Sequence, residues 1–217
     1  MLQYASAAGF PIMNQLDKKT ARRIIETVGS FGTPPEWGFQ YFTVGLEEYL
    51  SLIEEEYLKT FIKEDGGSTI KLVIGAYGGG KTHFLYNIRE LAWKENFVVS
   101  YVNLSPEEAP FHRLELVYRA IINNLMYPMT PEELLKGVEK GIEPFIINWY
   151  ERQAEIFRDV GLKGETLEHE LIVYAKAVQR NIENVNFAKA IDQAFLFTHQ
   201  EREEDFRNII QWLRVEG

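Results

Sequence analysis

The sequence contains no cysteine. Disulfide frameworks, thiol nucleophiles and cysteine-based zinc sites are therefore excluded. Cationic residues are the minority, 23 Lys and Arg against 32 Asp and Glu, for a formal charge of −9. Gripping a nucleic-acid backbone irrespective of its sequence takes many cationic contacts, so this balance disfavours it while leaving room for a local basic patch or a basic partner. No apolar run reaches the roughly 20 residues that cross a bilayer, and MLQYASAAGFPIMNQLDKK has no basic leader ahead of an apolar stretch. The chain reads as soluble and cytoplasmic. Its four histidines are scattered, and His112, His169 and His199 have no partner at metal-ligand spacing.

What remains is an ordinary globular composition, 46% hydrophobic and 25% charged, over 217 residues, enough to bury a core. Residues 17–28 place Ala21, Ile24, Ile25 and Val28 on one helical face, and GSFGTPPEWGF breaks that helix. Leu46, Tyr49, Leu50, Ile53, Tyr57 and Phe61 keep helical spacing up to EDGGS. TIKLVI (Thr69–Ile74) is short, apolar and rich in β-branched residues, which predicts a buried strand; FVVSYVNL (Phe97–Leu104) predicts a second. Helices are expected over Thr82–Trp93 and over residues 113–127. Thr130, Pro131 and Glu133 form a capping-box start, and from there to the end only helical periodicity is found, interrupted at KGIEP, at GLKGET and near Asn184–Asn186. The expected organisation is a core with a helical lead-in over residues 1–128 and a helical subdomain or insertion over 129–217.

Four glycines, then Lys81 and Thr82, follow the first expected strand in GAYGGGKTH (Gly75–His83). Glycine loses much conformational freedom on folding, so this density needs a geometric reason. The stretch fits G-x-x-x-x-G-K-[ST] at Gly75, Gly80, Lys81 and Thr82, between a strand and a helix, as a phosphate-binding loop (Walker A) requires. Glycines let successive backbone N–H groups turn inward around an anion, and the helix start adds its own unpaired amides. Lys81 reaches the β- and γ-phosphates, and the Thr82 hydroxyl suits a Mg²⁺ ion bridging them. Gly75, Ala76, Tyr77, Gly78, Gly79, Gly80, Lys81, Thr82 and His83 are thus the candidate nucleotide-binding residues, with Lys81 the candidate catalytic one. The His83 backbone is expected at the α-phosphate and its imidazole in solvent. Upstream, Pro34, Pro35, Phe42, Val44 and Gly45 either sandwich an adenine ring or simply pack a loop. Asn103, Ser105, Glu107 and Glu108, after the second expected strand, either approach the phosphates or form a polar turn.

In this order, ARRIIETVGSFGTPPEWGFQYFTVG, KLVIGAYGGGKTHFL and FVVSYVNLSPEEAPFHRLELVYRAI resemble the P-loop ATP-binding proteins of BREX bacteriophage-exclusion systems, which look related to AAA+ ATPases. The resemblance is closest over residues 20–125. It implies ATP and Mg²⁺ as cofactors and a role beside other defence proteins, with DNA reached through them rather than by this chain alone. It leaves a homo-oligomer open and implies no membrane. The implied fold class is α/β, a P-loop NTPase-type parallel sheet with flanking helices, incomplete in this chain, plus an all-helical subdomain. FTVGL (Phe42–Leu46) is similar to the F-x-VGR adenine segment of AAA+ relatives, with Leu46 where arginine is usual.

Hydrolysis in such enzymes also needs an apolar strand ending in Asp or Asp-Glu, and no such strand is found; FIINWYE (Phe145–Glu151) reads better as a helix. Two strands are too few for a buried parallel sheet. The sequence therefore predicts that the acidic strand and later elements lie beyond residue 217. Two readings stay open: an ATPase component of a phage-defence system completed by such elements, and a nucleotide-gated interaction module that does not hydrolyse. A small-molecule kinase would need an acceptor base, for which Asn103 is poorly suited. Autonomous DNA binding finds little support in the mildly basic KAVQRN or the acidic EREEDF.

Overall fold

A computed structural model describes residues 16–107, 109–137, 139–179, 182 and 184–215. In chain order these form α1 (Lys18–Phe31), a 3-10 turn (Phe39–Phe42), α2 (Glu47–Leu52) continued by a π-helix (Ile53–Glu64), α3 (Lys81–Lys94), β1 (Val99–Ser100) and α4 (Leu114–Asn123). After them come β2 (Leu125–Met126), α5 (Pro131–Lys136), α6 (Ile142–Asp159), α7 (Gly164–Gln179), α8 (Val185–His199) and α9 (Glu203–Leu213).

This corrects the expected fold class. The chain is 64% helix and 2% strand, so it is not a P-loop NTPase-type parallel sheet; among the described residues the only sheet is the pairing of β1 with β2. TIKLVI runs without a strand assignment, with Ile70, Leu72 and Ile74 exposed at 94%, 83% and 85%. An extended segment becomes a strand only when a neighbour takes up its N–H and C=O groups. Apolar, β-branched composition suits a segment to that setting without supplying the neighbour. FVVSYVNL keeps strand character only at Val99–Ser100. Phe145–Asn148, the weakest strand candidate, is helical within α6, as its periodicity predicts.

The described residues divide into two compact units, 16–99 with 127–137, and 100–126 with 139–215. In the first, Leu50, Leu58, Leu91 and Ala92 are buried between the α2–π-helix element and α3, with Ile53, Ile62, Phe84 and Ile88 packed around them. The hydrogen-bond spacing widens to five residues where Asp65 N–H meets the Thr60 carbonyl (3.0 Å). Glu54, buried on that element, accepts from Lys94 and pairs with Lys59 at 3.2 Å. At the front of the unit, Asp17 caps α1 by accepting from the Lys19 and Thr20 amides, and Gly32 ends the helix in the left-handed region (φ 63°).

Five helices, α4 and α6–α9, build the second unit. Ile122, Ile142, Ile146, Ala190, Ile191, Ala194, Ile210 and Leu213 form one buried cluster, and Ala154, Leu171, Ala175 and Phe195 another. Trp149 packs against both, 4.6 Å from Phe195 centroid to centroid, and donates its indole N–H to the Tyr174 hydroxyl at 3.0 Å. The breaks expected at GLKGET and near Asn184 fall between α6 and α7 and at the N-cap of α8, where the Asn184 side chain accepts from the Asn186 and Phe187 amides. Thr130 opens α5 with the expected capping box and Pro131 in the first turn.

Candidate functional site

The glycine-rich loop ends where α3 begins. Gly80 is the N-cap of that helix in the left-handed region (φ 78°), and no side chain caps it. The first turn of a helix has N–H groups without intrahelical partners, so the amides of Lys81, Thr82 and His83 are left for something else to bind. The first backbone bond onto the cap is Phe84 N–H to the Gly80 carbonyl, at 2.9 Å. Gly78 also has positive φ (75°), and a Cβ on Gly79 would stand 3.0 Å from the Ala76 carbonyl oxygen. The loop therefore uses glycine for its path as well as for access. Lys81 folds back over it, donating from Nζ to the Gly75 (3.0 Å) and Ala76 (2.7 Å) carbonyls.

This loop lines a cleft of about 750 Å³. Gly75, Gly79, Gly80 and Lys81 come from the loop, and Leu72, Val73, Ile74, Phe42, Val44, Leu46, Tyr49, Pro34 and Val28 supply most of the apolar lining. TIKLVI, no strand here, thus contributes its last three residues to the cleft. A mostly apolar lining with a few polar groups is the composition of a small-molecule site.

His83 joins the loop to the segment before α2. Its Nε2 lies 2.8 Å from Thr43 Oγ1, while Phe39 and Phe42 flank the ring at centroid distances of 5.7 and 5.0 Å. Thr43 Oγ1 is also 3.0 Å from the Phe39 carbonyl, and Asn87 Nδ2 donates to the His83 carbonyl at 2.9 Å. Burial holds the imidazole below its ordinary pKa, favouring the neutral ring. The side chain expected in solvent is instead half-buried and bonded.

A family model described as BREX system ATP-binding protein BrxC/D matches residues 16–217. The chain belongs to this family. No curated protein and no solved structure matches it. The resemblance seen in the ARRIIETV, GAYGGGKTH and FVVSYVNL segments is thereby borne out as membership of the BrxC/D family.

Of the sequence-predicted residues, the cleft gathers Phe42, Val44, Gly75, Gly79, Gly80, Lys81 and His83. Gly45, Ala76, Tyr77, Gly78 and Thr82 are not in its lining; Gly45 has positive φ (73°), and Tyr77 is fully exposed. Asn103, Ser105 and Glu107 belong to the second unit, and Glu108 lies outside the described residues. Sequence reasoning missed Thr43 and Asn87. The i, i+4 spacing of His83 and Asn87 on one helical face was the available signal. Nothing in the sequence marks Thr43 as their partner across 40 residues.

Among the described residues no cluster of three or more His, Asp or Glu side chains is placed to hold a metal ion, and no helix is long and apolar enough to cross a membrane.

Proposed function

We propose that this BrxC/D family member binds ATP in the cleft, the GAYGGGKT segment acting as a Walker A phosphate loop. The observation that supports it most directly is the uncapped start of α3, with the amides of Lys81, Thr82 and His83 beside the Lys81 ammonium and behind glycines that leave the approach open. A triphosphate there meets hydrogen-bond donors and positive charge together. To accept it, Lys81 exchanges the Gly75 and Ala76 carbonyls for phosphate oxygens. The base takes apolar lining, against Phe42, Val44 and Pro34. Thr82 is the hydroxyl suited to a Mg²⁺ ion, whose remaining ligands would be phosphate oxygens and water, in keeping with the ion's preference for few protein ligands.

Within a defence system, nucleotide occupancy of this unit would set how the chain engages its protein partners. Among the described residues no Asp or Glu lines the cleft. The groups on hand grip and neutralise a triphosphate, which supports a nucleotide-gated module as the activity of these residues themselves and assigns any hydrolysis to carboxylates supplied otherwise. Titration of the chain with a fluorescent ATP analogue, with and without Mg²⁺, tests binding; Lys81→Ala should abolish it. Phosphate release measured on the same samples separates a gated module from an ATPase. Equal affinity in the wild type and Lys81→Ala overturns the assignment.

A further inference from the structure

Resting on the assignment of the cleft to ATP, we propose that Thr43 is a positioning residue: it ties the stretch that meets the base to the helix that meets the phosphates, and so holds the two at a set separation. The alternation of that stretch points to it. Phe42, Val44 and Leu46 line the cleft, whereas Thr43 and Gly45 between them do not. Thr43 has extended backbone (φ −74°, ψ 121°), and along an extended chain successive side chains point to opposite sides. Its hydroxyl turns to α3 instead. Oγ1 lies 2.8 Å from His83 Nε2 and 3.4 Å from both ends of the Asn87 carboxamide. The tie holds for any arrangement of the protons. A hydroxyl has one hydrogen and two lone pairs, so whichever neighbour takes the hydrogen, Oγ1 still accepts from Asn87 Nδ2.

The amides on this stretch bond locally, Thr43 N–H to the Gln40 carbonyl at 3.4 Å and Gly45 N–H to Glu47 Oε1 at 3.3 Å. Its apolar contacts do reach α3. Phe42 lies 5.0 Å from the His83 ring, centroid to centroid, and Leu46 packs against the cluster of Leu50, Leu58, Leu91 and Ala92. Such contacts attract without direction. A hydrogen bond has a preferred distance and angle, so Thr43 fixes where the stretch sits along the helix. The anchor on α3 is itself held: Asn87 is 2% exposed and donates to the His83 carbonyl, one turn before it, at 2.9 Å. His83 belongs to the uncapped first turn of α3. One hydroxyl thus sets the spacing of Phe42 and Val44 from the phosphate-binding turn, across 40 residues of sequence. ATP spans both places and feels that spacing. Inorganic triphosphate occupies only the turn and does not.

The test compares ATP with inorganic triphosphate on the full 217-residue chain, each measured by displacement of a fluorescent ATP analogue. Thr43→Val keeps the branched shape without the hydroxyl and should weaken ATP about tenfold, the scale of a lost hydrogen bond, with triphosphate unchanged. Thr43→Ser restores the hydroxyl and should return ATP affinity to near the wild-type value. His83→Phe cuts the tie from the α3 side while keeping a ring beside Phe39 and Phe42. It should show the same split, and the double variant should lose little more than either single one. A merely structural role would weaken both ligands alike. Equal ATP affinity in the wild type and Thr43→Val, an equal loss for ATP and triphosphate, or no recovery in Thr43→Ser each overturn the inference while leaving nucleotide binding intact. Should Thr43→Val fail to fold by far-UV circular dichroism, the ratio of the two affinities in His83→Phe decides on the same terms. If the wild type binds neither ligand, the ATP assignment fails and this inference with it.

Discussion

The Lys81 ammonium donates to the Ala76 carbonyl oxygen at 2.7 Å, so the cation of the loop is tied to the loop's own backbone. Truncating it removes a brace and, on the proposed function, a phosphate ligand. Lys81→Ala is expected to lower affinity for an ATP analogue by about a hundredfold or more, the loss of a charge-assisted contact in a site built around it. The helix content should stay unchanged by far-UV circular dichroism, because Lys81 is partly exposed and lies outside the buried clusters.

The loop should also fail through geometry with no change of charge. Gly80 has φ 78°, and valine there is strained by about 1–2 kcal/mol. Gly80→Val is therefore predicted to weaken nucleotide binding although every charged group remains. Gly29 in α1 offers the contrast: a Cβ there meets nothing within 4 Å and φ is ordinary. Gly29→Ala should raise stability by about 0.5–1 kcal/mol in a urea titration, with affinity unaltered.

Arg89 is buried at 3% exposure, donates to the Glu36 carbonyl and Glu90 Oε1, and stacks on Trp93 at 4.6 Å. It fastens the Pro34–Trp37 segment to α3. Arg89→Met should destabilise the first unit by roughly 1–3 kcal/mol, because the removed donor leaves half-buried acceptors without their partner. Lysine should not rescue it, since a point charge replaces neither fork nor plane. A denaturation midpoint for Arg89→Lys equal to wild type would refute this account.

Glu54 gives a pH dependence with a definite sign. Burial pushes its carboxyl up, and hydrogen bonds from Lys94 and Lys59 outweigh that, leaving it below the ordinary glutamate value. A carboxylate depressed in the folded state contributes stability above its unfolded pKa and loses it as pH falls through the folded one. Glu54→Gln should therefore be less stable than wild type at neutral pH, with the gap closing as pH falls below the ordinary glutamate range. Urea midpoints collected across that range provide the check; a constant gap would mean that packing rather than charge is responsible.

How much of this was legible in the sequence depends on what kind of signal each element sends. Helices announce themselves through spacing and caps, and Asp17, Thr130 and Asn184 all cap where the sequence places helix starts. TIKLVI and FVVSYVNL misled because a short apolar run states only that a segment suits a buried strand; whether another strand lies beside it is decided far away in the chain. The candidate loop was readable because phosphate grip is local, its glycines, lysine and threonine being consecutive. The Thr43–His83 contact was not, since it spans 40 residues and depends on how α3 meets the turn before α2. The π-helix was also invisible: IEEEYLKTFIKE has the same apolar residues whether its bonds reach back four or five positions.

Each unit has its own packed indole. Trp93, 6% exposed, sits in the first beside Arg89, and Trp149 sits in the second among Phe145, Tyr174 and Phe195. Native tryptophan emission therefore mixes signals from both units, Trp37 and Trp93 in the first and Trp149 and Trp212 in the second, with Trp212, more than half exposed, adding a red-shifted background. Replacing Trp149 and Trp212 with phenylalanine would silence the second unit, and melting of the unit that carries the glycine-rich loop could then be followed by its own light.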